Sequence, residues 1–167
     1  MKNSKNQSGS TLIEILIASV VFSIVLLAFI SALSTFGIIQ IKTKLRSEGI
    51  LLSKEYMEIA YNLSLQNWDA FYSLNDTYTI QIRDTPDFNN IFPYYTFSPG
   101  LETIADTYTR SIEISSVYRD DQGKISDNVN GQLDPQTKKI KVTTSIIPID
   151  TIEPLVYETY LINFGNL

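Results

Sequence analysis

Residues 15–41, ILIASVVFSIVLLAFISALSTFGIIQI, contain no charged side chain and are dominated by Ile, Leu, Val, Ala and Phe. As a helix rising 1.5 Å per residue, such a run extends about 40 Å, against about 30 Å of bilayer hydrocarbon, so it spans with residues to spare. A cleaved secretory signal has a shorter apolar region, about 7 to 15 residues, with its cut site on the far side. This run is too long for that. Beyond it the pattern turns amphipathic. Ile41, Leu45, Leu52, Tyr56, Ile59 and Leu63 fall three, four or seven apart, with Lys44, Glu48, Glu55 and Glu58 at other positions. The spacing predicts that the helix continues to about residues 64–67, with Gly37 and Gly49 as weak or bending points.

The period then changes to two. Residues 77–83, 107–118, 137–147 and 155–163 alternate as strands do. The second and third are joined by RDDQGKISDNVNGQLDP, whose Asp, Gly, Asn and Pro content predicts turns and an extended loop. The elements together predict an α+β fold: one long N-terminal helix, membrane-spanning then amphipathic, packed on a small antiparallel sheet. Removing the first 41 residues leaves a segment of ordinary single-domain size. It shows no solenoid repeat and no low-complexity tract.

Composition narrows the chemistry. Thirteen Lys and Arg against eighteen Asp and Glu give a formal charge of −5, which disfavours binding to nucleic acid. Cys and His are both absent. Their absence removes disulfides, thiolate nucleophiles, imidazole bases and the common zinc ligand sets. Neither a Gly-x-Ser-x-Gly motif nor a phosphate loop is present, so nothing points to an enzyme.

The junction before the apolar run is the most informative segment. A polar leader, MKNSKNQSG, carries Lys2 and Lys5 as its only charges, and Ser10, Thr11, Leu12, Ile13 and Glu14 follow. A lone carboxylate within a spanning helix costs about 2.5–3.5 kcal/mol on insertion scales and is ordinarily kept for a partner or a function. At the edge of the run, Glu14 also has the plainer option of solvation among headgroups. The string from Gly9 through Ser10-Thr11-Leu12-Ile13-Glu14-Ile15-Leu16-Ile17-Ala18 resembles a type IV prepilin signal.

That resemblance, to the type IV pilins and type II secretion pseudopilins, implies several properties. The leader is residues 1–9, cut after Gly9 by a prepilin peptidase. Ser10 becomes the first mature residue and the site of N-methylation, where the family usually has Phe or Met. Glu14 becomes the fifth mature residue. Residues 10–41 form the transmembrane and filament-core helix, and 42–167 form the helix continuation and exported head. Lysines and arginines flank both ends of the run, so the cytoplasmic placement of the N-terminus also comes from the resemblance.

Cutting after Gly9 creates an α-amino cation at Ser10, four residues before Glu14. In an apolar bundle, a carboxylate facing a neighbour's amino terminus is compensated and an unpaired one is not, so the pair sets one axial register. Losing Lys2 and Lys5 with the leader changes the mature side-chain balance to 11 − 18 = −7. The absence of Cys excludes the disulfide-bounded loop of many major pilins and favours a minor pilin or minor pseudopilin. The segments YTRSIEISSVYRDD, KKIKVTTSI and VYETYLINF resemble the C-terminal part of such minor subunits. The implied partners are other pilin or pseudopilin subunits, the prepilin peptidase, the assembly platform with its ATPase, and the membrane. The implied location is the inner membrane before assembly, and then a surface pilus or a periplasmic pseudopilus.

Two features of the head carry alternatives. Asp120, Asp121, Asp127 and Asp134 surround Gly123 and Gly131, an oxygen-rich arrangement of a kind that can hold calcium, as some pseudopilins do in a C-terminal loop. The spacing lacks the Asp-x-Asp-x-Asp-Gly order with a later Glu, so solvated turns are the preferred reading and no cofactor is expected. Trp68, Phe71, Tyr72, Phe88, Phe92, Tyr94, Tyr95 and Phe97 read chiefly as packing, with a recognition surface as the alternative. For the whole chain, the competing functions are a non-polymerising membrane-anchored binding domain and an anchored hydrolase working through head carboxylates.

Overall fold

The computed structural model of the chain describes residues 7–90, 92–126, 131–147 and 152–163. The chain divides into two compact units, Met1–Lys44 and Leu45–Leu167. Helix α1 (Gln7–Gln66) supplies most of the first and the opening segment of the second. The first proline of the chain is Pro86, so no missing backbone donor interrupts the ladder of α1. The helix stops at Asn67, whose backbone is extended and whose side chain accepts a hydrogen bond from the Ala70 N–H at 3.1 Å. That cap starts a second, short helix, α2 (Trp68–Ser73).

In the second unit, seven strands form one antiparallel sheet: β1 (Thr77–Ile82), β2 (Tyr95–Pro99), β3 (Glu102–Ile104), β4 (Tyr108–Arg119), β5 (Ile125–Ser126), β6 (Gln132–Ile146) and β7 (Leu155–Ile162). The order is β2-β1-β4-β6-β7, and β3 and β5 both pair with β4. The four alternating segments of the sequence are β1, β4, β6 and β7. Strands β2, β3 and β5 are additions, and β6 takes in residues 132–136 from the expected extended loop. These pieces are too short to show a period of their own. They are held by ladder bonds to long neighbours, as where β4 and β6 pair from Tyr108↔Ile146 to Arg119↔Gln132.

The core forms where residues 45–66 of α1 cover the inner face of the sheet. Tyr56, Ile59, Ala60 and Leu63 are buried against Ile80, Ile112, Ile114, Ile140 and Val142, with Phe71 and Phe92 completing the cluster. Each large aliphatic side chain buried here contributes about 1.5–3 kcal/mol. Leu45 and Leu52 are half-buried.

Gly49 is buried on the same face. A Cβ there would lie 2.8 Å from Leu155 Cδ1 on β7 and 3.8 Å from Thr144 Cγ2. The residue read as a weak or bending point is also a place where α1 lies close against β7, and a side chain there would press on Leu155. Gly49→Val is expected to lower the unfolding free energy by about 1–3 kcal/mol, the usual effect of overpacking. Chemical denaturation of the detergent-solubilised chain checks this, and unchanged stability would mean that Leu155 swings aside freely.

A polar cluster locks the helix to the sheet. Strands β1 and β4 pair only at Thr77↔Glu113 and Tyr78↔Ile112. They then separate, β1 continuing with β2 and β4 with β3. Tyr56 sits in the split: its hydroxyl accepts from the Ile80 N–H at 2.9 Å and donates to Glu102 Oε2 at 2.7 Å. Arg110, 6% exposed, points inward from β4. Its Nε donates to Glu102, and its Nη1 donates to Glu55 Oε2 at 2.6 Å and to the Leu52 carbonyl at 3.1 Å. The guanidinium carbon stands 3.9 Å from the Tyr56 ring centroid. Burial pulls the Arg110 pKa down, but the hydrogen bonds to Glu102 and Glu55 outweigh it and hold it above its ordinary value.

Lys138 is a second buried cation, held by the Leu74 carbonyl at 2.9 Å and Ser116 Oγ at 3.2 Å, and burial depresses its pKa. Leu74 is the C-cap of α2, so the ammonium sits against the carbonyl end of that helix. No buried side-chain nitrogen or oxygen among the described residues lacks a partner.

Tyr108, 5% exposed, donates its hydroxyl proton to Glu48 Oε2 at 2.7 Å. Burial, then the hydrogen bond and charge of Glu48, push its pKa up from 10.0 to about 12. With the folded value above the unfolded one, the stabilisation is complete below pH 10.0 and is lost as the pH rises toward about 12. The loss amounts to about 2–3 kcal/mol. Tyr108→Phe should flatten this part of the stability profile. Urea midpoints for both proteins at pH 9 to 12 would show it, and parallel profiles would refute the assignment.

Candidate processing and assembly site

The first unit carries the residues singled out at the N-terminus. Gly9 and Ser10 lie on the helical backbone of α1, and Glu14 is exposed one turn further on. Residues 10 and 14 are i and i+4, so they share one face of the helix about 6 Å apart along its axis. After a cut at Gly9, the new ammonium and the carboxylate would present on a single side. The structure brings these two positions together, and the sequence spacing already implied it.

From Leu12 to Ile41 every large apolar side chain is between 46% and 70% exposed. This segment is long and apolar enough to cross a membrane. Apolar groups surround it on all sides, as suits a helix immersed in lipid or in other helices and not one resting on a sheet. Three of its hydroxyls bond back to the helix itself. Ser19 donates to the Leu16 carbonyl at 2.8 Å, Ser23 to the Ser19 carbonyl at 2.8 Å, and Thr35 to the Ser31 carbonyl at 3.0 Å. These three side chains therefore require no water, which suits an apolar surrounding. Ala28 and Ala32, also four apart, add a small-residue pair of the kind that lets helices approach closely. The sequence reading overlooked that spacing, although it is visible in the string.

The acidic loop of the head has a different character. Asp120 Oδ1 accepts from the Gln122 N–H at 2.9 Å and the Lys124 N–H at 2.8 Å, closing a turn on Gly123 at φ 77°. Asp121 is exposed beside it. Asp134, expected to belong to the same cluster, is buried on β6. It accepts from Arg119 Nε at 2.7 Å and from the Gln136 N–H at 2.9 Å. Burial raises the Asp134 pKa, but hydrogen bonds from Thr137, the Gln136 N–H and Arg119 outweigh this and hold it below its ordinary value. Asp127 lies outside the described residues. Among the described residues no group of three acidic side chains converges on a point where a cation could sit.

Of the aromatic residues between α1 and β4, Phe71 and Phe92 are buried, and Trp68, Tyr95 and Phe97 pack around the core. Phe97 meets Tyr78 edge-on at 5.6 Å between ring centroids. Tyr72 is half-buried, whereas Phe88 and Tyr94 are 79% and 52% exposed.

Residues 4–30 match the prokaryotic N-terminal methylation motif, the signal of type IV prepilins and pseudopilin precursors. The match takes in Gly9, Ser10, Glu14 and the first half of the apolar run. Comparison with curated proteins and with solved structures finds no match.

Proposed function

We propose, from the premise of a prepilin-type methylation motif on a long apolar helix, that the chain is a minor structural subunit of a type IV pilus or type II secretion pseudopilus. The observation that carries this reading is the union of the motif at residues 4–30 with an apolar helix exposed on every side. The motif implies processing by a prepilin peptidase and assembly with other pilin-like chains. In this reading the peptidase cuts after Gly9, Ser10 carries the new amino group and its methyl, and Glu14 pairs with that group on a neighbour. Residues 15–41 then exchange lipid for helix contacts, and the acidic head faces outward. The complete lack of Cys supports a minor subunit, since no disulfide can close a head loop.

Mass spectrometry of the mature N-terminus, on membrane and sheared surface fractions, tests the proposal. A chain beginning at Ser10, with or without a methyl group, is expected, and its presence in the sheared fraction would place it in an extended pilus. Retention of Met1 would overturn the reading in favour of an anchored domain that does not polymerise.

A further inference from the structure

Strand β7 is an edge of the sheet, and its register with β6 runs without a shift from Thr137↔Ile162 to Thr144↔Leu155. The Asn163 N–H donates to the Gln136 carbonyl at 2.8 Å, which fixes the phase of the ladder. Residues 155, 157, 159 and 161 turn their backbone groups to β6, and Val156, Glu158, Tyr160 and Ile162 turn theirs outward. Among the described residues no strand lies on that outer side. The result is a row of backbone donors and acceptors about 26 Å long. Edges of this kind are ordinarily blunted by Lys, Pro or a bulge. The opposite edge, β2, is five residues long and ends in Pro99. Strand β7 has none of these devices, and its one charged residue, Glu158, is tied to Lys139 at 3.1 Å.

Two hollows lie beside the same edge, on the side of the sheet that α1 covers. One, of about 160 Å³, is lined by Ile50, Lys54, Met57 and Tyr157. The other, of about 150 Å³, takes in Tyr61, Ser64, Leu65 and Leu161. Each has room for one aliphatic side chain. Tyr157 and Leu161 are four residues apart on β7, about 13 Å, and the helix walls, centred on Lys54 and Ser64, are about 15 Å apart. Side chains four residues apart on an added strand repeat on one face at that same interval.

We propose that β7 takes an extended segment of another protein as an additional antiparallel strand, with apolar side chains four residues apart filling the two hollows. Backbone bonds supply the affinity and the hollows the selectivity. Charge sets the rest of the occupant. Lys54 pairs with Glu58 at 3.6 Å as Glu158 pairs with Lys139, so the strip suits an uncharged centre. Residues 45–167 hold nine Lys and Arg against seventeen Asp and Glu, a balance of −8 that repels a second head of the same kind and favours basic flanks. The inference concerns the head alone and goes beyond the assembly reading.

A fluorescein-labelled peptide, Lys-Lys-Thr-Leu-Thr-Val-Thr-Leu-Thr-Lys-Lys, titrated against the detergent-solubilised full chain and followed by anisotropy, tests it. Saturable binding is expected, absent with micelles alone. In the antiparallel arrangement the amides of the Thr residues face β7 and those of Leu and Val face away. N-methylation of the Thr amides should therefore abolish binding, and N-methylation of the Leu and Val amides should spare it. Tyr160→Pro removes one outward N–H and should weaken binding about tenfold, with the melting curve showing whether the head stays folded. Equal binding of the two methylated peptides, or none by the folded parent, would overturn the proposal, whatever becomes of the Tyr160→Pro chain. Equal binding of a peptide with Glu in place of every Lys would overturn the basic-flanked occupant. Dimerisation of the chain alone that Tyr160→Pro abolishes would make the occupant a second copy and overturn it likewise. None of these results bears on cutting after Gly9, which tests the assembly reading separately.

Discussion

Glu14→Ala chains are expected to be made, inserted and cut after Gly9, yet to reach the sheared surface fraction at roughly a hundredth of the parent level. An isolated carboxylate in an apolar helix costs about 2.5–3.5 kcal/mol, and pairing with a neighbour's amino terminus offsets that cost only in one register. Without the carboxylate, every axial offset between apolar stems is nearly equivalent. At about 1.4 kcal/mol per tenfold, losing that preference amounts to about two orders of magnitude in productive addition. Glu14→Asp keeps the charge on a shorter arm and should fall between the two. Normal filament yield from Glu14→Ala, with processing intact, would remove the register role from this residue.

Arg110→Met should be the most damaging single change to the head, lowering stability by about 3 kcal/mol. Arg110 is almost wholly buried and answers Glu102 and Glu55 together while stacking on Tyr56. Methionine fills much of the same space but leaves Glu102 and the Tyr56 hydroxyl facing one another without a cation. Glu55 is nearly half exposed, and water can recover part of its loss, which keeps the estimate at the low end of the range for broken buried pairs. Replacing Glu102 by Leu as well should restore part of the stability, because removing both partners leaves no uncompensated charge. Thermal melts of the three proteins would decide it. If Arg110→Met melts with the parent, the cluster contributes no net stability and serves only to align helix and sheet.

The four long strands were legible because period-two alternation survives wherever one face is buried, as at Tyr108, Arg110, Ile112 and Ile114. Strand β3 was not legible: three residues show no period, and only its pairing with β4, from Glu102↔Arg110 to Ile104↔Tyr108, defines it. Helix α2 was hidden for a related reason, since its start depends on the Asn67 cap rather than on any apolar stripe. The acidic cluster read from composition divides in space. Asp120 closes its own turn, and Asp134 is drawn inward by Arg119.

By itself the sequence determined the long helix, its division into an apolar and an amphipathic half, and the methylation motif over residues 4–30, because each of these is encoded by neighbours along the chain. The tertiary structure alone decided that Gly49 is a contact with β7, that Arg110 is buried, and that Leu51 borders an open groove. Those roles depend on residues distant in the chain: Leu155 over Gly49, Glu102 and Glu55 around Arg110, and the Ile104–Ala105 turn beside Leu51. Local periodicity reports which face of an element is apolar, but the partner that covers that face is chosen only when the chain folds back on itself.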